Sequence, residues 1–183
     1  KNIEKIATKG FTEANIENKH KIESSNVTYL LNSNKFSSKT KSKIKDNNNQ
    51  VYFLDEFSYF VDTSILKGKN VLNITNYNLP KSDKFFFSDG IFNLKTKNFT
   101  ASDTKINIHN NIFDEEKNDP RIYGISSKSE NNTTVINKGI FTTCGKREGC
   151  PPWSIKSERI KHDRVKKQIE YKNAILNVYD IPV

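Results

Sequence analysis

The 183-residue chain has no methionine, one tryptophan, two cysteines, seven glycines and five prolines, and alanine is rare. Cys144 and Cys150 are separated by five residues, so a bridge between them would be a local clasp contributing little loop entropy. A zinc site would need two further ligands near by, and His20, His109 and His162 show no ligand spacing. No apolar run is long enough to span a bilayer as a helix, and no apolar signal segment opens the chain. With no initiator methionine either, the sequence reads as a mature product or as a fragment. Catalytic signatures are missing too: there is no G-x-x-x-x-G-K, no G-x-S-x-G and no H-E-x-x-H. Acidic pairs such as Asp55-Glu56 and Glu115-Glu116 fall at strand and turn positions, where adjacent side chains face opposite ways. Nothing here argues for an enzyme, and no cofactor is implied.

Aromatics are plentiful, with 12 Phe and 7 Tyr in a chain whose apolar fraction is only 34%. Disorder depletes aromatic residues, so a folded, aromatic-rich β protein is predicted. The formal net charge is +9. The densest lysine run, Lys35 to Lys45, alternates mostly with small polar residues and holds a single aromatic, Phe36, which reads as the solvated side of a strand. A polyanion-binding module, losing affinity steeply with salt, is a weaker alternative.

A period-2 repeat dominates. Val51-Tyr-Phe-Leu-Asp-Glu-Phe-Ser-Tyr59, Phe85-Phe-Phe-Ser-Asp-Gly-Ile-Phe92, Val135-Ile-Asn-Lys-Gly-Ile-Phe141 and Ile169-Glu-Tyr-Lys-Asn-Ala-Ile-Leu176 align on Asp55, Asp89, Lys138 and Asn173. Phe53, Phe87, Ile136 and Tyr171 then stand two before the anchor, and Phe57, Ile91, Ile140 and Ile175 two after it. Even offsets share one face of a straight strand, so these eight residues, with Phe85 and Ile169, are expected on a single apolar face. The next position is Gly90, Gly139 or Ala174 in three of the units, which fits a bend or bulge. Clusters such as Asp46-Asn-Asn-Asn49, Lys67-Gly-Lys-Asn70 and Leu79-Pro-Lys-Ser-Asp83 read as turns. Helical periodicity is weak, and residues 1–20 read as a tail or a first strand. Repeated units that each expose one apolar face must stack or fold over to bury it, as in an antiparallel β-solenoid, a jelly roll or a sandwich. If the walls close, the apolar face is core. If they leave an open groove, Phe53, Phe57, Phe85, Phe87, Ile91, Ile136, Ile140, Ile169, Tyr171 and Ile175 would accept an acyl chain, with lysines at the rim.

The cysteines leave several readings open: a pair oxidised in an export compartment, or pairing with cysteines outside this sequence. They belong to Gly139-Ile-Phe-Thr-Thr-Cys144 and to the Cys-Pro-Pro-Trp153-Ser-Ile155 that follows. A closing segment runs Tyr171-Lys-Asn-Ala-Ile-Leu-Asn-Val-Tyr-Asp-Ile-Pro-Val183. These elements resemble the end of the periplasmic domain of the LPS-assembly outer-membrane proteins (the organic solvent tolerance, or LptD, family), and the repeats resemble the OstA-like domain of lipopolysaccharide-transport proteins. Asp180 stands where that family usually has glycine. The resemblance implies an antiparallel β-jelly roll or twisted β-solenoid over residues 21–183, with a cysteine-containing insertion at 144–152 and a barrel following beyond this sequence. It further implies a periplasmic location at the outer membrane, lipopolysaccharide as ligand, edge-to-edge docking with a bridge protein of like fold, and a lipoprotein plug partner for the barrel. Cys144 would match the family cysteine that cross-links this domain to the barrel, with Cys150 an additional partner. The competing expectation is a structural or adhesive β-solenoid with a closed core and no lipid.

Overall fold

The computed structural model describes residues 4–17, 19–109, 118–145 and 152–183. Among them there is no α-helix, only a 3-10 turn at Leu31–Ser33. The strands are β1 (Lys5–Ala7), β2 (Phe11–Ile16), β3 (His20–Ser25), β4 (Thr28–Leu30), β5 (Lys35–Ser38), β6 (Ser42–Asp46), β7 (Val51–Leu54), β8 (Glu56–Phe60), β9 (Ile65–Ile74), β10 (Lys84–Asn93), β11 (Phe99–Asn107), β12 (Arg121–Glu130), β13 (Thr133–Thr142), β14 (Trp153–Asp163), β15 (Gln168–Val178) and β16 (Ile181–Pro182). They form one large antiparallel sheet that does not close into a barrel. From β9 to β16 every strand pairs with its sequence neighbour. The chain is all-β, a wrapped sheet of the jelly-roll kind.

A row of left-handed residues folds the sheet into two walls. Asn70, Asp103, Lys138 and Asn173 have φ near +50°, at 49°, 47°, 48° and 53°. They fall on alternate strands at the same level, where the ladders on both sides skip a pair while keeping register. Side chains tie the corner across strands: Asn70 Nδ2 donates to Asp55 Oδ2 at 2.9 Å, and Ser88 Oγ to Asp103 Oδ2 at 2.8 Å. Asn173 Nδ2 donates to Glu158 Oε2 at 2.6 Å. Nearer the N-terminus the corner interrupts the strands outright, between β3 and β4, β5 and β6, and β7 and β8. Wall 1 comprises β1, β4, β5, β8 and the half of each long strand containing Leu66, Phe92, Ile136 or Ile160. Wall 2 comprises β2, β3, β6, β7 and the halves containing Phe85, Ile106, Ile122 or Phe141.

Small residues line the inside of the corner because the walls converge there. A Cβ on Gly68 would strike Leu54, one on Gly124 would strike Ile136, and one on Gly139 would strike Ile160. None of these glycines has positive φ; close approach is what requires them. Two tight hairpins need left-handed residues instead. Asn131 and Asn132 (φ 50° and 62°) join β12 to β13, and Tyr179 and Asp180 (φ 47° and 66°) join β15 to β16. Asp180 therefore takes the conformation that a glycine would adopt most easily. Residues 5–7 and 11–16 are strands of the same sheet, paired with β4 and β3.

Candidate functional site

The interior between the walls is the feature with the strongest chemical character. Its centre is dry: Ile22, Ile44, Leu66, Ile122, Ile136 and Ile160 are each 0% exposed. An aromatic cluster fills the adjoining space. Phe87 and Phe99 lie 5.2 Å apart, Phe87 and Phe92 5.5 Å, and Tyr52 reaches Phe92 edge-on at 5.4 Å. Toward the C-terminal strands the same inner face loses its cover. Ile106, Ile122, Phe141, Ile155 and Leu176 are register partners in turn, yet exposure rises from 1% at Ile106 to 44% at Leu176. Tyr171 and Ile169, also on β15, are half-buried against the core, and Ala174 is exposed.

The corner divides the expected apolar face. Phe57, Phe85, Phe87, Ile136, Ile169 and Tyr171 belong to the inner face, packed in or against the core. Phe53, Ile91, Ile140 and Ile175 lie on the outer face, in register with Lys43, Lys67, Lys156 and Lys156 respectively. Each aligned unit thus puts one member of its pair inside and the other outside. The cause is the left-handed corner: Asn137 and Lys138, or Lys172 and Asn173, both turn outward in succession, so inner positions shift from Ile136 to Gly139 and from Tyr171 to Ala174. Alternation holds within each wall and changes phase between them. The single-face expectation is corrected on this point.

Opposite the corner, the wall ends meet along a polar seam. His20 on β3 and Tyr59 on β8 share a hydrogen bond of 3.0 Å between Nδ1 and the phenol oxygen. Lys97, in the turn between β10 and β11, forms an ion pair with buried Asp46 of β6. That carboxylate also accepts from the backbone N–H groups of Asn48 and Gln50, at 2.8 and 2.9 Å. Arg164, at the end of β14, places its guanidinium 5.1 Å from the centre of the Phe85 ring. Burial, reinforced by the Lys97 ammonium, lowers the His20 pKa, and burial with Arg164 does the same for His162. Both imidazoles are therefore held neutral in the fold. Burial pushes the Tyr171 phenol up to about 12, so it stays protonated.

Cys144 is half-buried after β13, its N–H donating to Thr142 Oγ1 at 3.1 Å and its Sγ lying 3.7 Å from the Trp153 carbonyl. Cys150 and most of the 144–152 insertion lie outside the described residues, and so does the expected pairing. Among the described residues no group of three or more His, Cys, Asp or Glu is placed to hold a metal. A shallow trough of about 1090 Å³ crosses the outer face of wall 1, floored by Ser37, Ser58, Ile91 and Thr100 between Lys35 and Lys69. Sequence reasoning missed this trough, because apart from Ile91 its floor is made of small hydroxylated residues without a motif. The seam was equally hidden, since its partners Lys97 and Asp46 stand 51 positions apart.

The fold and site define a two-walled, antiparallel β domain with an apolar interior that opens at one end. No family model matches the chain, and no curated protein matches it.

Proposed function

We propose that this chain is a lipid-conducting bridge domain that receives the acyl chains of lipopolysaccharide on its inner face and passes them toward an outer-membrane barrel. The observation that carries this reading is the uncovered inner face of β15, where Leu176 is 44% exposed at the end of an otherwise apolar interior. An acyl chain lying against Tyr171, Ala174 and Leu176 would continue the core, while sugars and phosphates remain in water. The outermost strands, β1 and β2 at one end and β15 with β16 at the other, leave backbone groups for edge-to-edge docking with a bridge protein of like fold. A lipoprotein plug would belong to the barrel. The setting is the periplasmic face of the outer membrane, and the domain performs no chemistry of its own.

Photo-crosslinking amino acids at Tyr171, Leu176 and Phe57, with outward-facing Ile91 as control, test it. Capture of lipopolysaccharide at the inner positions and not at Ile91 is expected; labelling from Ile91 alone would sink the proposal. A second reading has its own support in the six isoleucine and leucine side chains at 0% exposure. It is a structural β-solenoid with a dry core, and it predicts no capture at any inner position.

A further inference from the structure

The outer face of wall 2 carries an unpartnered stripe of apolar and basic residues that the interior reading leaves unused. One register row crosses nine strands, from β6 to β15: Lys43, Phe53, Leu72, Phe86 and Lys105, then Tyr123, Ile140, Lys156 and Ile175. At the usual strand spacing it is about 38 Å long. The row beside it adds Lys45, Ile74 and Lys84, while Val51, Arg121, Thr142, Ser154 and Asn177 of that row are buried. No carboxylate stands in either row between β6 and β15. Carboxylates of the adjoining strand and loops are engaged: Glu23 with Lys21 and Lys43, Asp83 with His109, and Asp119 with buried Arg121. Ile175 is 52% exposed and Tyr123 37%, while Phe53, Leu72, Phe86 and Ile140 are half-buried.

Lysines and rings are interleaved. The Lys105 ammonium lies 5.6 Å from the centre of Phe86 and 5.5 Å from that of Tyr123, and Lys43 lies 5.9 Å from Tyr77, which itself packs on Phe53. Soluble strands facing water on one side would carry polar residues of both signs at these positions. Here half the outward positions are aliphatic or aromatic, and every charge is positive. Wall 1 differs on its own outer face, where Glu56, Asp89 and Glu170 alternate with lysines.

We propose that the outer face of wall 2 rests on an anionic lipid bilayer, with Phe86, Tyr123, Ile140 and Ile175 at headgroup depth and Lys105 and Lys156 paired with lipid phosphates. Aromatic rings flanked by lysines suit the water–hydrocarbon boundary, where one part of a side chain is apolar and the other wet. Charge complementarity selects the occupant, since cationic residues near an anionic leaflet gain attraction that a neutral surface does not give. Nucleic acid fits less well, because Leu72 separates Phe53 from Phe86 and the row beyond Tyr123 holds Ile140 and Ile175, aliphatic side chains that offer bases no stacking partner. The proposal does not depend on whether the interior takes lipid.

Flotation of the chain with vesicles of phosphatidylglycerol and phosphatidylcholine, against pure phosphatidylcholine, tests it. Binding to the anionic vesicles only is expected. The double variant Lys105→Glu with Lys156→Glu should bind at least about 20-fold more weakly, from two lost lysine attractions near the surface. Lys67→Glu with Lys128→Glu makes the same change of charge on wall 1 and should bind like the parent. Phe86→Ser should also weaken binding several-fold. Equal losses in the two charge-reversed variants would overturn the proposal, as would full binding by Phe86→Ser, or tighter binding of a single-stranded RNA to the same residues. Phe86→Trp in a Trp153→Phe background gives a readout independent of weakened variants: its emission should be quenched by brominated lipid, and absence of quenching would overturn the docking face.

Discussion

From β6 to β13 the walls press together and Ile44, Ile122 and Ile136 lose all contact with solvent. On β15 the inner-face residues Tyr171, Ala174 and Leu176 stay in reach of it. Both regions have the same ladder, the same corner and the same alternation. What separates them is only whether an opposing wall stands over the inner face. An apolar strand pattern therefore specifies a face, and the topology decides whether that face becomes core or an open surface.

The sharpest contrast should come from the inner corner. Gly139 pairs with Ser157 and Ser157 with Ala174, so the three sit at one level across the sheet. Gly139→Leu would drive a side chain into Ile160 and should abolish cooperative folding, read as loss of the thermal transition. Ala174→Leu, at the exposed end, should fold with little change in Tm. Equal damage at both positions would mean that the two regions are packed alike. Cavity formation gives a milder version of the test. Ile160→Ala in the sealed region should cost ~2–5 kcal/mol by denaturant titration, while Leu176→Ala should cost under ~1 kcal/mol.

Much of this was legible before the structure. The all-β class followed from the period-2 repeat and the aromatic content. The bend was visible in Gly90, Gly139 and Ala174 after the anchors, and two anchors, Lys138 and Asn173, are themselves corner residues. What sequence could not carry was the change of phase. Ile136 and Ile140 are four apart, an even offset, yet the left-handed corner at Lys138 sends one inward and the other outward. Any residue type can be forced into that conformation, and Lys138 gives no hint of it. Nor does the pattern separate Ile155 from Leu176, since both are aliphatic at alternating positions.

The seam closes the sealed region on its open side, and it should respond to acid. His20 and His162 are held below their ordinary value of 6.5. The unfolded chain takes up these protons near pH 6.5, whereas the folded chain does so only at lower pH. Between those values the unfolded state binds more protons, so stability is complete above 6.5, falls as pH drops through the window, and levels off once both states are protonated. Thermal melts between pH 7.5 and 5 should show this decline, and His162→Gln should flatten its share. An unchanged Tm across the range would show that neither imidazole is desolvated as the fold implies.

The smallest effect lies at the corner itself, where the two regions use different residues for one conformation. Lys138, in the sealed part, holds φ at 48°, and Asn173, at the open end, holds it at 53°. A lysine there costs about 1–2 kcal/mol of backbone strain, while asparagine visits the region with little penalty. Replacing either by glycine releases that strain but adds about 0.4–1 kcal/mol of unfolded-state entropy. Lys138→Gly should therefore leave stability level or raise it by up to ~1.5 kcal/mol. Asn173→Gly has less strain to release, and it also removes the amide that donates to Glu158, so it should lose a few tenths of a kcal/mol, roughly the worth of an exposed charge contact. Denaturant midpoints at constant m-value would resolve the difference. If Lys138→Gly proved the more destabilising of the two, the left-handed row would not be the element that sets the phase between the walls.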